Sequence, residues 1–566
     1  MLERLDRLPA ASASTQARLL WLVVGVATVV GVAGWATQTL TGGVIALWSF
    51  CLAAAALAFV LPFPLALVSP LYMGILGWLV DMLPLVILCG WAAVVTRWVI
   101  VLVTDRRLPR GGRWIWLPIG LLVWTALGVL VITSLDFKHF LLLLAIQVLA
   151  SGAVLAVVDQ VDSLEDRSRI VSGIGGFIVV LSVAVFLQWI GVNLETLQDG
   201  EVRRRVEAAY GLDAFPNNIG MIKYARSVKA GSLELRQKLD RVAEGAPDLP
   251  AFEVFRPKFQ AYENSLVVRF EGSARDHEDA LAQAGVRLLY DNVGLAPANT
   301  VPRMRSFPRN ALTYAGICAA LFPLAFFLVW TGRRRIGWAI VVACLFGAGF
   351  SLARGAWVAI ALGIVYLLVD GLISRRHKGT MVIAFLAGAI VLTGVFLFKY
   401  KVDPLTGRAG GGASVTTRDE LYRDTFALVR NNPIYALLGY GTEQPRTESG
   451  TTKEGTRYVP PAGTHSTYLN YLFRTGVPGA LMILALYVTA GLHARAAARG
   501  REGDERMFAT LATAAVVIAA AHAVILSLYV EPIYTLVISL VLGVAMAGSW
   551  QLPRSVWPWR RGPSSA

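Results

Sequence analysis

Of six histidines, His465 stands apart, in Pro460-Pro461-Ala462-Gly463-Thr464-His465-Ser466-Thr467-Tyr468-Leu469-Asn470, where an irregular polar stretch turns into an apolar run. A neutral imidazole at such a boundary reaches both water and the membrane surface, and near neutral pH it can act as a general base. The same placement suits an interfacial histidine that only steadies a helix start. His377 and His493 fall in basic stretches read as loops, His277 in a long polar segment, His139 beside an apolar run and His522 inside one.

Just upstream, Thr417–Pro433 carries Arg418, Arg423 and Arg430 on a helical pattern over 417–431, followed by Leu438-Gly439-Tyr440-Gly441. Guanidinium groups suit bidentate recognition of phosphate, and several together can neutralise a diphosphate that one alone cannot. An amphipathic surface helix with snorkelling arginines is the plainer alternative. Ser351-Leu352-Ala353-Arg354-Gly355 interrupts the apolar stretch 336–372 and puts Arg354 near the ends of two short helices. An arginine at that depth is costly, and such residues usually face a polar cavity. Glu531 lies between the last two apolar runs, where it either shares in the chemistry or simply ends a helix. No Asp-x-Asp pair or Cys/His cluster occurs in the long polar segments, so neither a metal nor a cofactor is expected. Cys51, Cys89, Cys318 and Cys344 all lie in apolar runs and read as small core side chains.

What must position these groups is lipid-embedded. Of 566 residues 56% are hydrophobic and 16% charged, with a mean hydropathy of +0.58, which no soluble fold carries. Apolar runs fall near 19–37, 43–60, 63–80, 83–103, 114–132, 139–158, 171–192, 310–331, 336–352, 355–372, 380–398, 468–491, 507–529 and 532–548. Each is long enough to cross a hydrocarbon core of roughly 30 Å, and together they predict about fourteen transmembrane helices. The basic excess of +15 gathers beside these runs: at the N-terminus, Arg106 to Arg113, Arg333 to Arg335, Arg375 to Lys378, Arg495 to Arg506, and Arg560 with Arg561. These stretches share one face, cytoplasmic by the positive-inside rule, so the charge reports orientation and not a nucleic-acid partner. The first helix is expected to be retained.

The expected fold class is therefore an all-α polytopic membrane protein with two long segments on the outer face. Residues 1–192 form N-terminal transmembrane helices and 193–309 a periplasmic α+β insertion. Residues 310–398 form helices around Arg354, 399–467 a second periplasmic loop, and 468–566 the last helices and a cytoplasmic tail. Within the insertion, 201–212, 219–243 and 274–290 have helical patterns and Leu266–Phe270 alternates like a strand.

Three features in this order resemble the O-antigen ligase and polymerase superfamily of bacterial envelopes. They are an Arg-Gly after a serine at a span end, an arginine-led helix running into Asn-Pro and a Gly-x-Gly turn, and a histidine opening a span with Leu-Asn and then Thr475-Gly476-Val477-Pro478-Gly479. The likeness covers roughly residues 310–490. It implies a GT-C-like, inverting and metal-independent glycosyltransferase of the bacterial inner membrane, working at the periplasmic face. Its donor would be an undecaprenyl-diphosphate-linked glycan, and its acceptor lipid A core or a growing glycan. By that resemblance His465 matches the catalytic histidine, expected to act as the base, and Arg354 and Arg418 match arginines that handle the diphosphate; Arg423 is added as a further diphosphate contact, and Arg430 and Glu531 as further candidates. Ala353 stands where the family often has serine, and Ser466 where asparagine often follows the histidine.

Ligase and polymerase share donor chemistry, and the sequence leaves both open. The strand-and-helix pattern over 266–283 weakly resembles the base of polysaccharide chain-length regulators, a link that favours long-chain products and such a regulator as partner. A lipid-linked oligosaccharide flippase or other transporter is a further alternative, but mid-membrane charges are few and the halves share no evident repeat.

Overall fold

The computed structural model describes residues 10–37, 40–80, 82–110, 112–131, 137–189, 306–307, 311–400, 426, 429–430, 433–439, 466–525 and 531–549, with short strands at 252–255, 267–270, 286–289, 294–297, 450–451 and 457–458. The long helices are α1 (Ala10–Ala36), α2 (Leu40–Val60), α3 (Phe63–Leu79), α4 (Leu83–Thr104), α5 (Trp116–Val131), α6 (Phe137–Gln160), α7 (Leu164–Trp189), α8 (Ala311–Trp330), α9 (Arg334–Phe350), α10 (Arg354–Val369) and α11 (Arg375–Tyr400). A short α12 (Pro433–Leu438) precedes α13 (Thr467–Gly500), α14 (Gly503–Ile525) and α15 (Pro532–Met546). Among the described residues eight helices are long and apolar enough to cross a membrane, and five shorter apolar ones accompany them. The chain is a polytopic membrane protein.

Helix formation follows from the lipid setting, because a spanning segment must satisfy its backbone within itself. The α8 helix is almost wholly buried and touches α7, α9, α10, α14 and α15, so it is the axis of the bundle. Among the described residues the α11 helix packs mainly on α9 and α10, with His377 stacked on Trp330 of α8, and presents most of its surface outward. Small residues allow close approach: Gly363 of α10 packs on Ile518 of α14, and Gly175 of α7 on Ile340 of α9.

Among the described residues the apolar runs are helical, but several helices begin or end in polar residues. At α7 the Ser163 hydroxyl accepts from Asp166 N at 3.0 Å and donates to the Asp166 carboxylate at 2.8 Å, a reciprocal cap that starts the helix seven residues before the apolar run. His377 and His493 are helical, not in loops; His493 is buried, 2.6 Å from Ser549 Oγ, because α13 continues to Gly500 through an alanine-rich stretch. In the long polar segment, Phe252–Phe255 pairs antiparallel with Val267–Phe270, and Val286–Leu289 with Gly294–Pro297. A strand is present at 267–270, within the 266–270 expected; of the helical pattern drawn over 274–290 only 286–289 is described, and it is a strand. The helical patterns at 201–212 and 219–243 lie outside the described residues.

One end of the bundle is closed by charge. Asp159 accepts from Arg107 at 2.6 and 3.0 Å, from Trp98 Nε1 at 3.0 Å and from the Arg110 amide at 2.8 Å. That hydrogen-bonded pairing raises Arg107 above its ordinary pKa. Arg501 pairs with Glu505 and donates to the Gly548 carbonyl, and Arg495 lies 3.7 Å from Asp370.

Candidate active site

Arg354 is set by a tight turn at the opposite end. The Ser351 amide bonds Gly347 O at 3.2 Å, and its buried hydroxyl bonds Ala348 O at 2.9 Å. Leu352 takes a left-handed conformation, φ +50°, unusual for a side chain of its size. Trp357 Nε1 reaches back to the same Ala348 carbonyl at 3.1 Å, tying α10 to α9. Ala353, buried, then turns the chain into α10, and its place in the family pattern is filled without a side-chain cap. Arg354 emerges exposed as the first residue of α10, with no partner among the described residues. A guanidinium beside the positive end of a helix dipole is a favourable place for an anion.

The second component comes from α13, which is not one rod. Gly476 has φ +69° and ψ −173°, and the helix breaks there into residues 467–475 and 477–500. In a straight helix Tyr468 and Tyr487 would stand about 28 Å apart along the axis; their rings are 5.9 Å apart. The first half therefore folds back over the second. Its fold-back is fastened by Tyr471 Oη to Gln147 Oε1 at 2.7 Å, Tyr468 Oη to Ala520 O at 3.3 Å, and Trp124 Nε1 to Thr475 O at 3.0 Å. Broken helices of this kind are tolerated at membrane depth where protein or a cavity satisfies the freed backbone. Ser466 caps the half-helix, accepting from Leu469 N and donating to Ala523 O, both at 3.5 Å. Serine thus performs a capping role at the position where the family often has asparagine.

Arg354 and Ser466 share this end. The α10 and α14 helices pack with Gly363 on Ile518 and run in opposite directions, so the start of α10 comes level with the end of α14, where Ser466 binds Ala523. The third component, α12, packs on α13 at its break. Gly439 has φ +76°, and a Cβ there would overlap the Arg474 carbonyl; a Cβ at Gly476 would overlap the Leu437 carbonyl. The two glycines make a reciprocal backbone clasp, which fixes α12 beside the half-helix that opens at Thr467. Arg430 itself is exposed and its neighbour Val429 buried.

Of the residues singled out in the sequence, Arg354, Arg430 and Glu531 are described, while His465, Arg418 and Arg423 lie outside the described residues. Glu531 precedes α15 and is half-buried; its carbonyl accepts from Thr535 N at 3.0 Å, and its side chain does not cap the helix. Sequence reasoning missed Arg474, whose Nε donates to Asn470 Oδ1 at 2.9 Å on the folded-back half, and Trp124. Only the Gly-x-Gly and Thr-Gly-Val-Pro-Gly pieces hinted at the clasp.

A many-helix bundle with a tied charged end and an arginine-bearing end built around a broken helix defines a polytopic membrane protein with one site-like face. A family model described as O-antigen ligase matches residues 339–484, so that segment of the chain is similar to the O-antigen ligase family. No curated protein matches the chain.

Proposed function

We propose that the protein transfers a glycan from undecaprenyl diphosphate to an acceptor sugar at the periplasmic face of the bacterial inner membrane, without a metal. The observation that carries this reading is that the matched segment, 339–484, contains Arg354, Arg418, Arg423, Arg430 and His465 together.

In the proposed reaction an acceptor hydroxyl attacks the anomeric carbon while the bond to the diphosphate oxygen breaks. The hydroxyl proton passes to His465, and undecaprenyl diphosphate leaves with its charge held by Arg354, Arg418 and Arg423, assisted by Arg430. A single displacement inverts the anomeric centre. The lipid diphosphate is already a good leaving group, so positioning, charge stabilisation and one base suffice. Glu531, outside the matched segment, is assigned to the mouth of the site.

This reading includes about fourteen crossings, a periplasmic α+β domain at 193–309 and a periplasmic catalytic loop at 399–467. The antiparallel hairpins between 252 and 297 support the strand content of that domain. Attachment to lipid A core is the leading reading and chain polymerisation its close alternative. Both are tested by transfer in proteoliposomes containing undecaprenyl-diphosphate glycan and EDTA, comparing wild type with His465→Ala. Turnover in EDTA that disappears in a folded variant supports the assignment, and product size separates one transfer from many. Equal turnover in the two removes His465 from the chemistry.

A further inference from the structure

Beneath the folded-back half of α13 lies a cavity of about 50 Å³, walled by α5, α6, α13 and α15. Leu121, Val154, Ile483 and Leu542 make much of its lining apolar, yet Gln147, Ser151, Thr467, Tyr471, Tyr487 and Ser539 also face it. The hydroxyls of Tyr487 and Ser539 have no hydrogen-bond partner among the described residues, although both residues are buried. Gln147 accepts from Tyr471 through Oε1 but reaches Ser151 only at 3.4 Å, leaving amide N–H capacity directed at the same space.

Polar groups at this depth are costly unless something pairs with them. A buried water needs roughly 10–15 Å³ of such space and two to four polar partners, so the cavity suits roughly three to five waters. On the far wall Tyr534 lies 3.1 Å from His522 Nδ1, and His522 Nε2 is buried without a partner among the described residues.

We propose that this cavity holds a hydrogen-bonded water cluster joining the start of the folded-back half-helix, at Thr467 and Tyr471, to the Tyr534–His522 pair. The cluster satisfies the Tyr487 and Ser539 hydroxyls and the remaining Gln147 N–H inside an otherwise apolar bundle. This goes beyond the transfer reaction and does not depend on it.

Radiolytic hydroxyl labelling of the full-length protein in lipid nanodiscs, read by mass spectrometry, tests the proposal because radicals arise from bound water in place. Tyr487 and Tyr534 are each 4% exposed, and Tyr314, at 0% with its hydroxyl 2.6 Å from Ser182 Oγ, is an internal control away from the cavity. Labelling of Tyr487 and Tyr534 several-fold faster than Tyr314 is expected. Labelling of all three at the Tyr314 rate overturns the proposal. A second variant, Ser539→Leu, fills the cavity; in folded protein, judged by its size-exclusion profile, it should bring both tyrosines down to the Tyr314 rate. Unchanged fast labelling in that variant would place the water elsewhere and reject the site. Neither readout requires glycan transfer.

Discussion

The two ends of the bundle use arginine in opposite ways. At one end several guanidinium groups are engaged by the protein, Arg107 on Asp159, Arg110 on Asp162, Arg501 on Glu505 and Arg495 near Asp370, while Arg334, Arg335, Arg375 and Arg376 there are exposed. At the other, Arg354 and Arg430 stand exposed on a stiffened turn and beside a backbone clasp. Those pairs hold helices together. The Arg354 guanidinium has no partner among the described residues, and the proposed reaction is assigned to that end for this reason.

The largest test of this contrast is at the reacting end. Under the proposed mechanism His465→Ala lowers transfer by about 10²–10⁴-fold, the usual contribution of a general base, while the protein remains folded in detergent. Loss of expression instead of activity would make the histidine structural and erase the contrast. Arg354→Lys comes next. It keeps the charge but not the planar fork, and a loss on the order of tenfold or more in kcat/KM is expected; near-full activity would argue against diphosphate contact.

At the tied end the effect should move from turnover to stability. Asp159 has a fully buried side chain, and Asp159→Ala strands its partners, costing about 3–5 kcal/mol in a thermal melt. The activity of the molecules that remain folded should match wild type; a selective loss of kcat would mean that the ends are not independent. Arg110→Ala removes a half-exposed pair with Asp162 and should cost under about 1 kcal/mol. Orientation is checked separately by Ser232→Cys, which should react with membrane-impermeant reagents from the periplasmic side only.

The helices were legible in the sequence because hydrocarbon demands long apolar runs, and such runs are visible at a glance. Their ends were not, because hydropathy detects lipid and not helix. The Ser163–Asp166 cap and the alanine-rich stretch through His493 extend α7 and α13 into polar sequence. The turn before Arg354 was legible as an interruption, Ser351 to Gly355, between two apolar stretches. The break at Gly476 was not: Thr475-Gly476-Val477-Pro478-Gly479 showed as a motif, but its geometry depends on Trp124, Gln147 and Gly439, which are distant in sequence and carry no local signal. Arg474 escaped for the same reason, since only the fold-back brings it to the site-bearing end.

The clasp between Gly439 and Gly476 works as a snap fastener whose two halves are both main chain. Each glycine sits in the left-handed region and leaves no room for a Cβ against the opposing carbonyl, so a larger residue at either position prises α12 away from the folded-back half-helix.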